Sequence, residues 1–131
     1  MVIVDTSAWI EYFRDSGHAI VKDIEHALGN EVIVLGDLIY CEILQGIKST
    51  EEERRVKFIL SSLYPAVIGG FTICEKAAQN YKLLRTTGAT IRKTIDVLIG
   101  TFCIENNYSL IHNDRDFLPF KKYFGLKIFS Y

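Results

Sequence analysis

The chain has 131 residues, 49% of them hydrophobic, with 15 basic and 16 acidic side chains and a net charge of −1. That length suits one domain, residues 1–131, with a core that needs no covalent staples, and no apolar run approaches the roughly 18 residues of a membrane span. The near-neutral charge excludes a protein that grips nucleic acid by bulk positive charge, but not one whose acids are gathered in a single pocket and leave the remainder basic.

Val2, Ile3 and Val4 form an unbroken β-branched run, the pattern of a strand buried on both faces. The run ends at Asp5. Thr6 and Ser7 can cap the helix that follows, with Trp9, Ile10 and Phe13 on its apolar stripe. Ser16-Gly17 reads as a turn. Ile20, Val21, Ile24, Ala27 and Leu28 recur at helical spacing up to Gly29-Asn30. Val32 to Leu35 is a second strand, and Gly36-Asp37 leads into a helix through Leu38, Ile39, Cys41, Ile43, Leu44 and Ile47 that also holds Glu42.

Thr50 with Glu53 matches a capping box, with acids in the first turn where the helix dipole favours them. Pro65 and Gly69-Gly70 interrupt the pattern, leaving Ala66 to Ile68 as a short strand. Thr72 with Glu75 opens another helix that ends near Gly88. Thr94 can cap the next, which carries Asp96 in its first turn and stops at Asn106-Asn107. Tyr108 to Ile111 is a third strong strand and runs into His112-Asn113-Asp114-Arg115-Asp116. A short helix over Phe117 to Phe124 and a strand over Leu126 to Phe129 close the chain. Strands alternating with helices predict a parallel α/β sheet with helices on both faces.

The remaining composition is quiet. Cys41, Cys74 and Cys103 are odd in number, far apart and outside CxxC pairs, which predicts reduced, buried thiols. No signal peptide is read at the N-terminus, so a cytoplasmic location is expected. His18, His26 and His112 are too scattered for a zinc site.

Each acid alone has an ordinary explanation: Asp5 and Asp96 at helix starts, Glu42 in a salt bridge, Asp114 and Asp116 in a solvated turn. Their joint placement is more pointed. Asp5 and Asp114 both follow strands, and parallel strands would bring them to one edge of the sheet, where ligands bind in open α/β folds. Crowded carboxylates repel one another unless cations neutralise them. Oxygen donors suit Mg²⁺ or Mn²⁺, and two such ions can clamp a phosphoryl displacement by activating water and steadying the leaving oxygen.

The segments IVDTSAWIEYF, YCEILQG, TIDVLIGTFCIENN and HNDRDF, in that order, resemble the four acidic motifs of PIN-domain ribonucleases, and most of all the VapC-type toxins of prokaryotic toxin–antitoxin pairs. The stretch Thr90 to Thr94 is similar to that family as well. The resemblance implies a single-domain, three-layer α/β sandwich that cleaves RNA. It implies that Asp5, Glu42, Asp96 and Asp114 are the catalytic, metal-binding acids, that Asp116 assists them, and that Thr6 and Ser7 orient carboxylates or contact phosphate. It also implies Mg²⁺ or Mn²⁺ as cofactor, a cognate antitoxin protein as partner, a homodimer, and no membrane association.

RNA would then be held by local cations: Arg85, Arg92 and Lys93 around the third motif, and Arg115 within the last. Lys48, Arg54, Arg55 and Lys57 read as a charged helix face. Trp9, Tyr12 and Phe13 read as core or interface in preference to base-stacking groups. Two rivals stay open at this point. One is a receiver or phosphotransfer domain, although VDTSAW lacks a second aspartate two residues on. The other is an interaction module whose acids serve structure alone.

Overall fold

Two of the four strands end directly before an acid, the first before Asp5 and the second before Asp37. The structure, a computed structural model, describes residues 1–131. Its strands are β1 (Val2–Val4), β2 (Ile33–Gly36), β3 (Tyr64–Ala66) and β4 (Ser109–Ile111), all parallel, in the order β3-β2-β1-β4. Val2 pairs with Ile33 on one side and Ser109 on the other. Successive strand side chains point to opposite faces, yet Val2, Ile3 and Val4 are all at most 2% exposed, so β1 is covered on both sides. Because every strand runs the same way, the residues after β1, β2 and β4 emerge at one edge.

The helices are α1 (Thr6–Arg14), α2 (Ile20–Asn30), α3 (Asp37–Gln45), α4 (Thr50–Leu60), α5 (Phe71–Thr86), α6 (Thr94–Asn106) and α7 (Leu118–Phe124). A single 3-10 turn spans Arg115–Phe117. α1 packs on α2 and α3, and α5 on α6. α6 is the deepest: Val97, Ile99, Gly100, Thr101, Phe102 and Cys103 are buried around it, as expected of a helix apolar on most sides. A Cβ on Gly100 would meet the Phe120 ring at 2.7 Å, so this glycine lets α7 close on α6. Trp9 is core, stacked on Phe13 with ring centres 5.5 Å apart. No helix is long and apolar enough to cross a membrane.

Several local expectations need correction. Ser49, not Thr50, caps α4, accepting from Glu52 N. α5 and α6 start after Gly70 and Lys93, with no side-chain cap from Thr72 or Thr94. The third strand is Tyr64–Ala66, two residues earlier than expected. Pro65 lacks an N–H, but β3 lies at the edge of the sheet, where a strand tolerates that loss. Ile68 instead donates its N–H to Asp37 Oδ1 and buries its side chain over Gly36. The closing strand shrinks to one bridge, Leu110 with Ile128. All three cysteines are free, but only Cys103 is buried; Cys41 and Cys74 lie on exposed helix faces.

Candidate active site

Asp5 stands directly after β1 and is 4% exposed. It is itself the cap of α1: its Oδ2 accepts from Ser7 N at 3.0 Å and from Ser7 Oγ at 2.6 Å. Ser7 Oγ in turn accepts from Asn113 N at 2.9 Å, across 106 residues of sequence. One hydroxyl therefore ties the end of β1 to the loop after β4. The neighbouring Thr6 Oγ1 donates to Glu42 Oε1 at 2.9 Å, which draws α3 to the same place. Thr6 and Ser7 thus each hold one carboxylate, with their hydroxyl protons committed to it.

Asp96, in the first turn of α6, is 4% exposed. Carboxylate oxygens of Asp96, Asp114 and Asp116 lie within 4.8 Å of one another. Asp114 Oδ1 accepts from Asp116 N at 2.9 Å, which folds the tight turn that presents both side chains. Asp116 Oδ2 takes a bond from Arg92 Nε at 3.1 Å. Asp5 and Glu42 flank this triplet. Their charges, with that of Asp114, reach Asp96.

The electrostatics follow from that crowding. Asp96 is pushed up to about 7, chiefly by burial, then by the charges of Asp5 and Asp114, with Lys93 pulling the other way and Glu42 adding to the rise. Burial also raises Asp5, against the opposing bonds from Ser7, and Asp114 adds a smaller push. Asp96 Oδ2 is buried and has no hydrogen-bond partner. A buried carboxylate oxygen without a partner is costly. The Asp96 carboxylate belongs to an all-oxygen set with Asp114 and Asp116, the chemistry that fits a hard divalent cation such as Mg²⁺ or Mn²⁺.

The cations are distributed unevenly. Arg92 pairs with Asp116 while its side chain stays 64% exposed, and Lys93 is near enough to lower Asp96. Arg115 is exposed beside Asp116 in an open groove. Arg85 is engaged elsewhere, donating to Tyr81 Oη at 3.0 Å with its guanidinium 5.8 Å from that ring. His112 went unnoticed in the sequence as anything but a scattered histidine. Its Nδ1 accepts from Asp114 N at 3.2 Å and its ring lies 5.1 Å from that of Phe117. Burial lowers its pKa, so the neutral ring shapes the Asp114 turn. The signal was there in the HND spacing, where a side-chain acceptor can bond the amide two residues on, as in an Asx turn.

A sequence profile of the PIN domain family matches residues 2–123. The chain is 29% identical over 119 residues to the VapC ribonuclease Mb1587 of Mycobacterium bovis and to ribonuclease VapC11 of Mycobacterium tuberculosis, covering 89% of each chain in both comparisons. Among solved structures, VapBC2 from Rickettsia felis, bound to a DNA fragment from their promoter, superposes with a TM-score of 0.76 at 19% identity, over 100% of this chain and 99% of that one. VapBC-1 from nontypeable Haemophilus influenzae gives 0.74 at 19% identity, over 99% and 98%. FitAcB from Neisseria gonorrhoeae gives 0.73 at 16% identity, over 99% and 97%.

Proposed function

The chain belongs to the PIN domain family, and from that premise we propose that it is a metal-dependent endoribonuclease acting as the toxin of a VapBC-like toxin–antitoxin pair. The observation that carries the metal-dependent part is the buried, unpartnered Oδ2 of Asp96 among other carboxylates. The names of the mycobacterial relatives support the ribonuclease part, and the VapBC complexes among the solved structures support the antitoxin partner.

Asp96, Asp114 and Asp116, with Asp5 and Glu42 beside them, would hold Mg²⁺ or Mn²⁺. Such ions, when bound, lower the pKa of a water and neutralise charge on the leaving oxygen. The chain's own contribution is placement. Ser7 fixes the Asp5 rotamer and the register of the 112–114 loop, and Thr6 fixes Glu42. Arg92 holds Asp116 and, being exposed, can also meet a phosphate. Lys93 and Arg115 add positive charge on the approach, and Arg85, turned onto Tyr81, contributes least to substrate binding. In the reaction, water oxygen bonds to phosphorus as the bond to the 3′ oxygen breaks, leaving a 5′-phosphate and a 3′-hydroxyl.

The test is cleavage of total cellular RNA by the purified chain. EDTA should stop it, and Mg²⁺ or Mn²⁺ should restore it. Cleavage that continues in chelator removes the metal from the reading. A homodimer and inhibition by a co-expressed antitoxin belong to the same proposal through the family likeness. Light scattering on the purified chain tests the first, and loss of cleavage on adding the antitoxin tests the second.

A further inference from the structure

Beside the acids an open groove of about 530 Å³ runs between the linker that joins α5 to α6 and the start of α7. Thr90 lies on the linker side. Arg115, Lys122 and Tyr123 lie on the other, and Asp116 forms the end that meets the acid cluster. Apart from Asp116, the side chains of this groove take no part in the acid cluster. Neither Arg115 nor Lys122 is paired with a carboxylate, whereas the one acid in the groove, Asp116, is already engaged by Arg92. Tyr123 is 44% exposed, although it is a large aromatic on a short helix whose Phe120 is fully buried. The Lys122 ammonium stands 5.2 Å from the centre of the Tyr123 ring. A cation seated over one face of a partly exposed aromatic ring offers charge for a phosphate and a ring for a base, the two halves of a nucleotide.

We infer that this groove is the track for one single-stranded arm of the RNA substrate, with Tyr123 stacking a base and Lys122 and Arg115 neutralising the phosphates that flank it. Resting on the ribonuclease reading, it makes Tyr123 a specificity-determining residue: stacking accepts any base, so the groove selects unpaired RNA over duplex. Because the groove ends at Asp116, the phosphate nearest the acids is the one positioned for cleavage. The same groove carries two cations against one acid and a single aromatic ring, and is poorly matched to an apolar helix.

The experiment measures anisotropy of a fluorescein-labelled single-stranded RNA with the full chain carrying Asp96→Asn, so that binding is read without turnover. In that background Tyr123→Ala should raise the Kd about tenfold, as loss of one stacked base does, and Tyr123→Phe should restore the parent value. Lys122→Ala should reduce the slope of log Kd against log salt by about 0.7, the single-strand value for one phosphate contact. Lys22→Ala on α2, outside the groove, is the control and should change neither. Equal affinity for parent, Tyr123→Ala and Lys122→Ala overturns the inference, as does an unfilled requirement for the ring, with Tyr123→Phe as weak as Tyr123→Ala. Cleavage of the same RNA by the wild-type chain reports on the nuclease reading separately.

Discussion

Two clusters of acids in this molecule have opposite fates. Glu51, Glu52 and Glu53 occupy the first turn of α4, where the helix dipole welcomes them. Glu52 accepts from Arg55 at 2.8 Å and Glu53 meets Lys57 at 3.7 Å, all on an exposed face. Its bond from Arg55 holds Glu52 below the ordinary glutamate range. Asp96, Asp114 and Asp116 are no more numerous, but they are crowded at the carboxyl edge of the sheet, and Asp96 is raised to about 7 with an oxygen left unpartnered. Sequence composition counts the two groups alike. What separates them is burial and crowding: Arg92 meets Asp116 and Lys93 opposes the rise at Asp96, yet Asp96 Oδ2 itself is left without a donor.

The contrast breaks if substitution in both clusters has similar consequences. Asp96→Asn should lower RNA cleavage about a thousandfold, the scale of losing one anchor of a divalent ion, while Glu52→Gln changes it less than about twofold; a gel assay on one RNA compares them. Thr6→Val, which deletes the donor to Glu42 and keeps the shape, should cost activity about tenfold to a hundredfold, as loss of a group supporting a metal ligand does, with the circular dichroism spectrum unchanged.

Stability sharpens the comparison through its sign. A folded-state pKa raised from 3.8 to about 7 means that Asp96 favours the metal-free fold fully below pH about 4 and loses that contribution as pH rises through about 7. Thermal melts in EDTA should therefore show the wild-type chain losing stability between pH 4 and 7 relative to Asp96→Asn. Added Mg²⁺ or Mn²⁺ should recover the loss in the wild type only. Glu52, lowered instead, contributes above its ordinary range near pH 4.5 and loses that contribution on acidification. The smallest effect is expected of Arg55→Ala, a solvent-exposed partner, which should leave the thermal midpoint nearly unchanged.

Much of this was readable from the chain. The β-branched run before Asp5 and the strand before Asp114 point to two acids sharing an edge, because parallel strands leave little freedom there. Small-scale chemistry was less readable. Ser49 and Thr50 are adjacent and equally able to cap, so only the backbone decides between them. Pro65 looked like a breaker because edge position is a property of the sheet, not of the residue. Asp116 ranks with Asp96 and Asp114 in the tightest group because the 114–116 turn bends back on itself, a geometry that an alternating D-R-D string does not announce. His112 was missed for a similar reason, since its role lies in accepting a backbone amide.

The pairing of β1 with β4 has a consequence for synthesis. The first strand made waits for the last of the four, and the triplet of acids near Asp116 is incomplete until the ribosome has passed residue 116. A growing chain therefore carries Asp5, Glu42 and Asp96 before it has the means to gather them. If this protein cuts RNA, the messenger and ribosome that produce it are spared until residue 116 has been made and the strands have paired.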